Sequence, residues 1–460
     1  MRISWNWLRT LIETDLSPHE AAAILTSTGL EVESVELLEP VRGMLAGVVV
    51  GQVLGCEKHP DADRLRVCQV ELGSGTPVAI VCGAPNVAEG QRVLVATVGT
   101  TLHPSAGEPI TIKRSKIRGV ESNGMICAED ELGLGSGHAG ILVLDPSAVV
   151  GTAAAVLLGL RVDHALEIGL TPNRADAMSH VGVARDLAAA LTVRTGRPVA
   201  VKWPDTSAFR MGEGTGIPVE VLAPAACSRY AGITLSNVKV ASSPAWLQER
   251  LRSIGLKPIN NVVDVTNFVQ HELGQPLHAF DAARLAGGRV VVRLAKEGEP
   301  FRTLDGKDRL LSAQDLVIAD AEKPACLAGV FGGADSGVGP DTTKVFLESA
   351  RFDPATVRKT ARRHGLNTDA SFRFERGVDP GITITALQRA VLLLCELTGA
   401  RVQSEVQEVQ QMEAPWATVE LDPRRVQRAI GVEVPAEEIV QVLRALDCRV
   451  QASGDDRWQV

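Results

Sequence analysis

The stretch from Gly47 to Leu134 constrains the fold of this chain most strongly, because short strand-forming runs alternate in it with turns. The runs are Val48 to Val53, Arg66 to Val70, Val78 to Val81 and Arg92 to Val98. They are rich in β-branched residues, and glycine and proline punctuate the corners between them. About five short strands with glycine-rich corners predict a small closed barrel.

Three polar motifs accompany these runs in a fixed order. They are His59 to Leu65 (HPDADRL), Cys82 to Asn86 (CGAPN) and Lys113 to Met125 (KRSKIRGVESNGM). Together they resemble the tRNA-binding domain that several aminoacyl-tRNA synthetases and their accessory proteins share. The resemblance implies a barrel of the oligonucleotide-binding (OB) fold in residues 39–151, and it implies that this barrel contacts tRNA.

The last of these motifs concentrates positive charge. Lys113, Arg114, Lys116 and Arg118 place four cations within six residues, on one predicted loop or strand end. A charge run of this kind is often only a solvated face of the protein. Because the run belongs to the tRNA-binding resemblance, we expect these residues to contact phosphate, with an affinity that falls as salt rises.

Composition agrees with an intracellular protein of several domains. The chain has 460 residues and a net charge of −8, so contacts with RNA must use local basic patches. Its eight cysteines form no C-x-x-C pair and no Cys/His cluster at zinc spacing, which predicts reduced thiols and no metal site. No apolar run reaches membrane-spanning length, and the N-terminus lacks a cleavable leader pattern. We therefore expect a cytoplasmic protein without membrane association.

The segments on both sides of the barrel predict one small helical module. Before the barrel, Ser17 to Glu20 has a capping-box pattern with proline at the first helical position, and a strand follows from Glu31 to Leu38. After the barrel, the pattern predicts a helix from about Met178 to Thr195. We therefore expect the barrel to be inserted into a module formed by residues 1–38 and 152–200.

The remainder of the chain mixes strands and helices in a way that predicts an α+β domain over residues 205–400. A linker rich in glycine and proline precedes it, from Trp203 to Pro218. The predicted strands are Ile217 to Leu222, Tyr230 to Leu235, Arg289 to Leu294 and Asp315 to Ala319, and the predicted helices are Pro244 to Ser253 and Pro354 to His364. Residues 401–460 are expected to begin a small α/β domain that is incomplete at the end of the chain, as in a fragment.

Distinctive motifs lie in five segments of this α+β region. They are Asn260 to Asn267, Gly274 to Asp281, Leu327 to Gly333, Phe346 to Ala350 and Thr368 to Gly377. With the barrel motifs, they resemble the β subunits of bacterial phenylalanyl-tRNA synthetases along the whole chain. The resemblance implies that residues 205–400 are an editing domain and that a B5-type domain begins after it. Members of that family continue into a catalytic-like module and an anticodon-binding module.

The resemblance also implies a division of work between two kinds of subunit. The α subunit of an α2β2 heterotetramer attaches phenylalanine to tRNA(Phe) with ATP and Mg²⁺, whereas the β subunit binds tRNA and hydrolyses mischarged tyrosyl-tRNA(Phe). A hydrophobic pocket rejects an isostere that adds a hydroxyl by only about 100-fold, so a second, hydrolytic site is useful. We expect no aminoacylation by this chain alone, and no metal ligands within it, because the family's magnesium ligands would lie beyond residue 460.

Residue by residue, the resemblance assigns roles within the editing site. His278, Thr266 and Asn267 are expected to act near the scissile ester, and the substrate is expected to contact Glu348, Gly329, Gly332, Thr368 and Ala370. Glu348 would read the tyrosine hydroxyl. Arg362 and Arg363, on the predicted helix that ends at His364, either guide the acceptor end of tRNA or belong to a solvated helix face.

The mechanism and the class of function each keep an alternative. His278 either orients or deprotonates the attacking water, or the terminal ribose hydroxyl of the tRNA assists hydrolysis instead. No Ser/His/Asp triad is recognisable, so no covalent intermediate is expected. The rival class is a nonenzymatic tRNA-binding or assembly protein that has the barrel but no working pocket, and the joint presence of the pocket residues favours the editing subunit.

Overall fold

The computed structural model describes residues 1–411, 416–454 and 457–460. These residues form two compact units, one made of Leu37–Asp163 and the other of Met1–Glu36 together with His164–Val460. The first unit contains the strand-rich stretch and its motifs. Within the described parts of the chain, no helix is both long enough and apolar enough to cross a membrane.

The first unit is built on an antiparallel sheet that nearly closes into a barrel. In spatial order its strands are Gly124–Ile126, Arg92–Thr97, Val48–Lys58, Arg66–Glu71 and Val78–Cys82, with Val143–Leu144 paired to Arg92–Thr97. The two ends of this order approach each other, because the Asn123 amide donates to the Ala79 carbonyl at 2.9 Å and the Val81 amide donates to Ser122 Oγ at 3.1 Å. The predicted small barrel is thus observed as a nearly closed one.

The remaining elements of this unit are short. They are the helical segments Arg42–Leu45 and Ala154–Leu157, the hairpin Thr101–Leu102 with Ile110–Thr111, and the hairpin Ser115–Ile117 with Val120–Ser122. The strand Arg92–Thr97 is buried on both faces, because Val93 and Val95 pack in one apolar cluster while Leu94 and Ala96 pack in another. Alternation of side chains along a strand places successive residues on opposite faces.

The second unit begins with a small sheet covered by helices. The strands are Arg2–Ser4, Glu31–Leu38 and Asp163–Gly169, and the helices are Trp5–Leu11, Pro18–Ser27 and His180–Thr195, preceded by the short turn Ala175–Ala177. Ser17 and Glu20 form the predicted capping box. The longest of these helices starts two residues later than predicted, because Ser179 caps it by accepting a hydrogen bond from the Gly182 amide at 2.9 Å.

The α+β region contains two sheets. The first, here called the central sheet, has the strand order Leu277–Asp281, Val345–Phe352, Cys227–Ser236 and Arg401–Val402, with Gln407–Gln410 also paired to Cys227–Ser236. The second sheet has the order Val219–Val221, Val290–Leu294, Leu316–Ala319, Pro324–Leu327 and Phe331–Gly332. A hairpin is formed by Glu299–Arg302 and Asp308–Leu311. The predicted α+β class is confirmed by these elements.

The central sheet is covered on both faces, and this sets the environment of every side chain on it. Ala231, Ala279 and Leu347 share an apolar cluster with buried residues of the helices Asn261–Leu273 and Ile382–Thr398. Their neighbours Tyr230, Phe280 and Phe346 share a different cluster with the second sheet. The region is therefore layered as helices, central sheet and second sheet.

The other helical elements surround these layers. They are Ala245–Ser253, Pro354–His364, Asp369–Phe374 and the short turns Ala282–Arg284 and Ala286–Gly288. Asp353 caps the second of these helices by accepting from the Thr356 amide, Pro354 occupies its first turn, and Gly365 ends it in the left-handed region at φ 61°. This helix has the bounds that the sequence predicted.

A small terminal group of elements follows. It consists of the strands Glu420–Leu421, Gln451–Ala452 and Trp458–Gln459 and of the helices Pro423–Ile430 and Ala436–Ala445. Asp422 caps the first helix by accepting from the Arg424 amide at 2.9 Å, and Pro435 precedes the second. A proline therefore marks the start of both helices.

Candidate functional site

A cleft of about 80 Å³ lies between the central sheet and the second sheet. Its lining contains five of the residues that the sequence predicted for the site: His278, Gly329, Gly332, Glu348 and Ala370. The other lining residues are mainly apolar: Pro276, Leu277, Cys326, Val330, Phe331 and Phe374. The fold therefore gathers residues from four separate sequence motifs around one small, mostly apolar space.

His278 and Glu348 are directly opposite each other on neighbouring strands of the central sheet. In an antiparallel pair, opposite residues project from the same face, with Cβ atoms about 4.5–5.5 Å apart. That face is the one that packs against the second sheet, since Phe280 and Phe346 lie on it. Strand register alone thus brings His278, which was predicted to act near the ester, and Glu348, which was predicted to recognise the tyrosine hydroxyl, to the same cleft.

The imidazole of His278 is uncharged at neutral pH. Burial lowers the pKa of His278 to about 4. Its Nε2 is buried and has no hydrogen-bond partner among the residues that the structure describes. A neutral imidazole carries one nitrogen that can accept a proton and one that can donate. A buried ring nitrogen without a protein partner, in a side chain lining a cleft, is suited to bind a water molecule or a ligand.

Glu348 is a buried carboxyl group with an exposed fraction of 5%. Burial raises the pKa of Glu348 to about 8, against the opposing effect of a hydrogen bond that the Tyr230 hydroxyl donates to Glu348 Oε2 at 2.8 Å. The carboxyl group is therefore mainly protonated at neutral pH. A protonated carboxyl both donates and accepts hydrogen bonds, as a phenolic hydroxyl does. The chemistry of Glu348 thus fits the recognition of a hydroxyl group.

Two glycines keep the space beside these side chains open. A Cβ atom on Gly332 would lie 3.0 Å from His278 Cε1 and 2.7 Å from Leu304 Cδ1. Gly329 has φ +68°, and a Cβ atom there would lie 2.8 Å from Phe374 Cδ2. Gly332 is therefore required for close packing, whereas Gly329 is required for backbone conformation as well.

Thr368 supports the cleft and is not part of its lining as described. Its hydroxyl accepts from the Ser371 amide at 3.0 Å, which caps the helix Asp369–Phe374 that carries Ala370. The same hydroxyl donates to the Val330 carbonyl at 3.0 Å. Thr368 therefore holds the Ala370 helix against the segment that contains Gly329.

Thr266 and Asn267 are not brought into the described lining of this cleft. They lie on the helix Asn261–Leu273, whose buried residues pack on the other face of the central sheet. The Thr266 hydroxyl donates to the Val263 carbonyl one turn earlier at 2.7 Å. The expectation that these two residues act near the ester stays a prediction.

Tyr230 is a residue of this site that the sequence reasoning missed. It is fully buried, and it is the single tyrosine of the chain. The sequence marked it only as the start of a predicted strand. Its partner Glu348 is 118 positions away, so no local pattern could have connected the two residues.

The three barrel motifs come together in the first unit. Arg118 donates to the Asp61 carbonyl at 3.1 Å, and the ring of His59 is hydrogen-bonded to the Ile117 carbonyl at 3.1 Å. Residues of CGAPN and of the third motif, including Cys82, Pro85, Lys113 and Ser122, line a cleft of about 620 Å³. Separate sequence signatures therefore form one continuous surface region.

The four cations of the third motif are all exposed. The sequence predicted them on one loop or strand end, and they lie along one short segment that enters and follows the strand Ser115–Ile117. Lys113 and Arg114 precede the hairpin Ser115–Ile117 with Val120–Ser122, Lys116 lies within its first strand, and Arg118 lies at its turn with φ 43°. All four cations therefore lie on the first arm of the hairpin, its approach and its turn, and none lies on the second arm.

Arg362 and Arg363 are both exposed near the end of the helix Pro354–His364. Arg363 forms an ion pair with Asp315, a fully buried carboxylate that also accepts from Thr360 Oγ1 at 2.9 Å. The His364 ring contacts the same carboxylate at 2.8 Å. Arg363 therefore contributes to the attachment of its helix, whatever else it contacts.

Comparisons with known proteins agree with this arrangement. A family model described as "Putative tRNA binding domain" matches residues 48–153, and one described as "B3/4 domain" matches residues 226–399. The chain therefore belongs to the class of proteins that combine a domain of the tRNA-binding family with a B3/4 domain.

Curated relatives narrow the class to one family. The phenylalanine–tRNA ligase beta subunit of Bacteroides fragilis (strain YCH46) is 52% identical over 451 residues, which cover 98% of this chain and 55% of the relative. The corresponding subunit of Salinibacter ruber is 46% identical over 99% of this chain and 55% of its own length, and that of Yersinia pestis is 43% identical over 100% and 56%. The chain belongs to the family of phenylalanine–tRNA ligase beta subunits, and it spans about 55% of the length of these relatives.

A solved structure also resembles this chain. It is an N-terminal fragment of the phenylalanyl-tRNA synthetase beta-subunit from Pyrococcus horikoshii, 14% identical, with a TM-score of 0.30 over 65% of this chain and 81% of the fragment. At that level of similarity, it bears on neither the fold nor the function of this chain.

Proposed function

We propose that this chain binds tRNA and hydrolyses mischarged tyrosyl-tRNA(Phe), as the editing part of a phenylalanine–tRNA ligase β subunit. The observation that carries the proposal is the pair formed by His278 and Glu348 across one small cleft. One is a neutral base with an unpartnered nitrogen, and the other is a protonated carboxyl group able to read a hydroxyl. These are the two functions that hydrolysis of a tyrosyl ester and recognition of its side chain require.

Selectivity would come from the cost of leaving Glu348 unpaired. Tyrosine offers a phenolic oxygen to the carboxyl group, whereas phenylalanine offers only a C–H edge. A buried polar group without its partner costs about 1–3 kcal/mol, which corresponds to about 5- to 150-fold in preference. The editing site would therefore discriminate through hydrogen bonding, where an apolar pocket cannot.

Hydrolysis would proceed by attack of water on the ester carbonyl. In the proposed step, His278 Nε2 holds or deprotonates the water, the acyl carbon becomes tetrahedral, and the bond to the ribose oxygen then breaks as that oxygen regains a proton. The products are tyrosine and free tRNA. Assistance by the neighbouring ribose hydroxyl remains the alternative to proton transfer by His278.

The barrel supplies the second part of the proposal. Lys113, Arg114, Lys116 and Arg118 would contact tRNA phosphates, and Arg362 and Arg363 would contact the acceptor end. The exposure of these side chains and the assembly of the barrel motifs support this role. Each phosphate that a cation neutralises releases counterions, so binding should weaken steeply as salt rises.

Aminoacylation belongs to the complete ligase in this proposal. An α subunit in an α2β2 heterotetramer would attach phenylalanine with ATP and Mg²⁺ in the cytoplasm. Within the described ranges of this chain, no group of three or more His, Cys, Asp or Glu side chains is arranged to hold a metal ion. In this proposal Mg²⁺ and ATP act in the complete ligase, and hydrolysis in the editing cleft uses neither.

The test is deacylation of Tyr-tRNA(Phe) and Phe-tRNA(Phe) by this chain and by His278→Ala. His19→Ala is the matched control, because His19 is an exposed histidine on the helix Pro18–Ser27. We expect the chain to deacylate Tyr-tRNA(Phe) faster than Phe-tRNA(Phe). His278→Ala should abolish this preferential hydrolysis, and His19→Ala should retain it. Binding of tRNA without any hydrolysis would instead favour the nonenzymatic tRNA-binding protein.

A further inference from the structure

We infer that Tyr230 is a positioning residue that directs the carboxyl proton of Glu348 into the cleft and thereby sets selectivity for a substrate hydroxyl. The inference rests on the proposed editing function and adds a residue to it. Tyr230 does not belong to the described lining of the cleft, whereas Glu348 does. Tyr230 would therefore act through Glu348 and would not touch the substrate.

The register of the central sheet places the two side chains together. Tyr230 is directly opposite Ala350, and Glu348 lies two residues from Ala350 on the same strand. Residues two apart on a strand share a face, so Tyr230 and Glu348 are diagonal neighbours on the face that meets the second sheet. Their hydrogen bond, from Tyr230 Oη to Glu348 Oε2, is 2.8 Å long.

The direction of this hydrogen bond decides which carboxyl oxygen carries the proton. Burial and the nearby Glu348 carboxyl raise the pKa of Tyr230 well above its usual value, so its hydroxyl stays a donor at any ordinary pH. Oε2 of Glu348 therefore accepts. The proton of the neutral carboxyl then resides on Oε1, the oxygen left for the cleft, where it can be donated to a phenolic oxygen.

A purely structural role for the contact is the alternative, since a buried tyrosine hydroxyl usually finds a partner. The two roles differ in what they do to the titration of Glu348. The Tyr230 hydrogen bond lowers the pKa of Glu348, so its removal should raise that pKa further above 8. A role limited to packing would leave the pH dependence of the preference for tyrosine over phenylalanine unchanged.

The experiment compares the chain with Tyr230→Phe, which keeps the buried ring and removes only the hydroxyl. The matched control is Ser228→Ala on the same strand. The Ser228 hydroxyl accepts from Arg351 at 3.2 Å, and within the described part of the chain it is not hydrogen-bonded to Glu348. Deacylation of Tyr-tRNA(Phe) and Phe-tRNA(Phe) is followed from about pH 6 to about pH 10. Glu348→Gln, which cannot ionise, identifies the limb of the profile that belongs to Glu348.

In Tyr230→Phe we expect the preference for tyrosine to fall about 2- to 10-fold, which is the loss of one ordinary hydrogen bond. The alkaline midpoint of the preference should move to higher pH than in the unaltered chain. Ser228→Ala should change neither quantity. Glutamate labelled with ¹³C gives the pKa of Glu348 by NMR in both proteins, independently of activity, and that pKa should rise in Tyr230→Phe.

Each contrary result has a separate meaning. If the unaltered chain prefers tyrosine and Tyr230→Phe keeps its preference and midpoint, the inference is overturned and the editing function stands. If the unaltered chain shows no preference for tyrosine, the editing function fails and the inference fails with it. An NMR pKa of Glu348 that is the same in both proteins overturns the positioning role whatever the kinetics show.

Discussion

The buried carboxyl group of Glu348 makes the stability of this protein depend on pH in a direction opposite to that of most carboxylates. An ordinary glutamate releases its proton near pH 4.5, whereas Glu348 holds its proton in the folded protein until about pH 8. Between these values the folded state binds more protons than the unfolded state, so the free energy of unfolding falls as pH rises. At 1.36 kcal/mol per pH unit, the increase of the Glu348 pKa from 4.5 to about 8 lowers the free energy of unfolding by about 5 kcal/mol over this pH range.

Glu348→Gln should remove this dependence. Glutamine keeps the shape of the side chain and still accepts from Tyr230, but it has no proton to lose. Relative to the unaltered chain, the variant should gain about 1.4 kcal/mol of stability for each pH unit between about pH 6 and about pH 8. Because the chain has two compact units, the measurement is hydrogen exchange of the amides in Val345–Phe352, which reports local opening.

Glu299→Gln is the control with the opposite sign. A hydrogen bond from Arg293 Nη2 at 2.6 Å lowers the pKa of Glu299, so its charge stabilises the fold above the usual glutamate range and loses that effect as pH falls. This variant should be destabilised at neutral pH and less so in acid. A difference between Glu348→Gln and the unaltered chain that is flat from about pH 6 to about pH 8 would refute a buried, protonated carboxyl.

Three further predictions use other parts of the structure. In Ala370→Trp, an indole should fill much of the 80 Å³ cleft and slow deacylation of Tyr-tRNA(Phe) about tenfold or more, while tRNA binding is retained. Unimpaired deacylation would place Ala370 outside the substrate path. Gly232→Ala would put a Cβ atom 2.1 Å from Phe346 Cζ and should cost about 1–3 kcal/mol of local stability. Hydrogen exchange of the amides in Cys227–Ser236 measures this cost, and unchanged protection would contradict the packing. In filter-binding titrations, Lys116→Ala should reduce the salt dependence of tRNA binding by about one counterion, whereas the control Lys202→Ala, at another exposed lysine, should not change it. If the slope of log affinity against log salt is the same in both variants, Lys116 is not part of the interface.

Local structure was determined largely by the sequence itself. The structure reproduces the predicted capping box at Ser17 and the predicted helix Pro354–His364. The strand-forming runs of the barrel were also found at their predicted places. Caps, turns and strand alternation depend on residues a few positions apart, so a pattern in the chain carries the information needed.

The chemistry of the candidate site was decided only by the tertiary structure. Motif resemblance named Glu348 and His278, but strand register placed them opposite each other and brought Tyr230 to the carboxyl group. The packing of the helix Asn261–Leu273, which carries the predicted Thr266 and Asn267, places that helix against the other face of the sheet. The protonation of Glu348 follows from burial between two sheets, which are assembled from segments far apart in sequence. Desolvation and strand pairing depend on such distant contacts, and a linear pattern does not contain them.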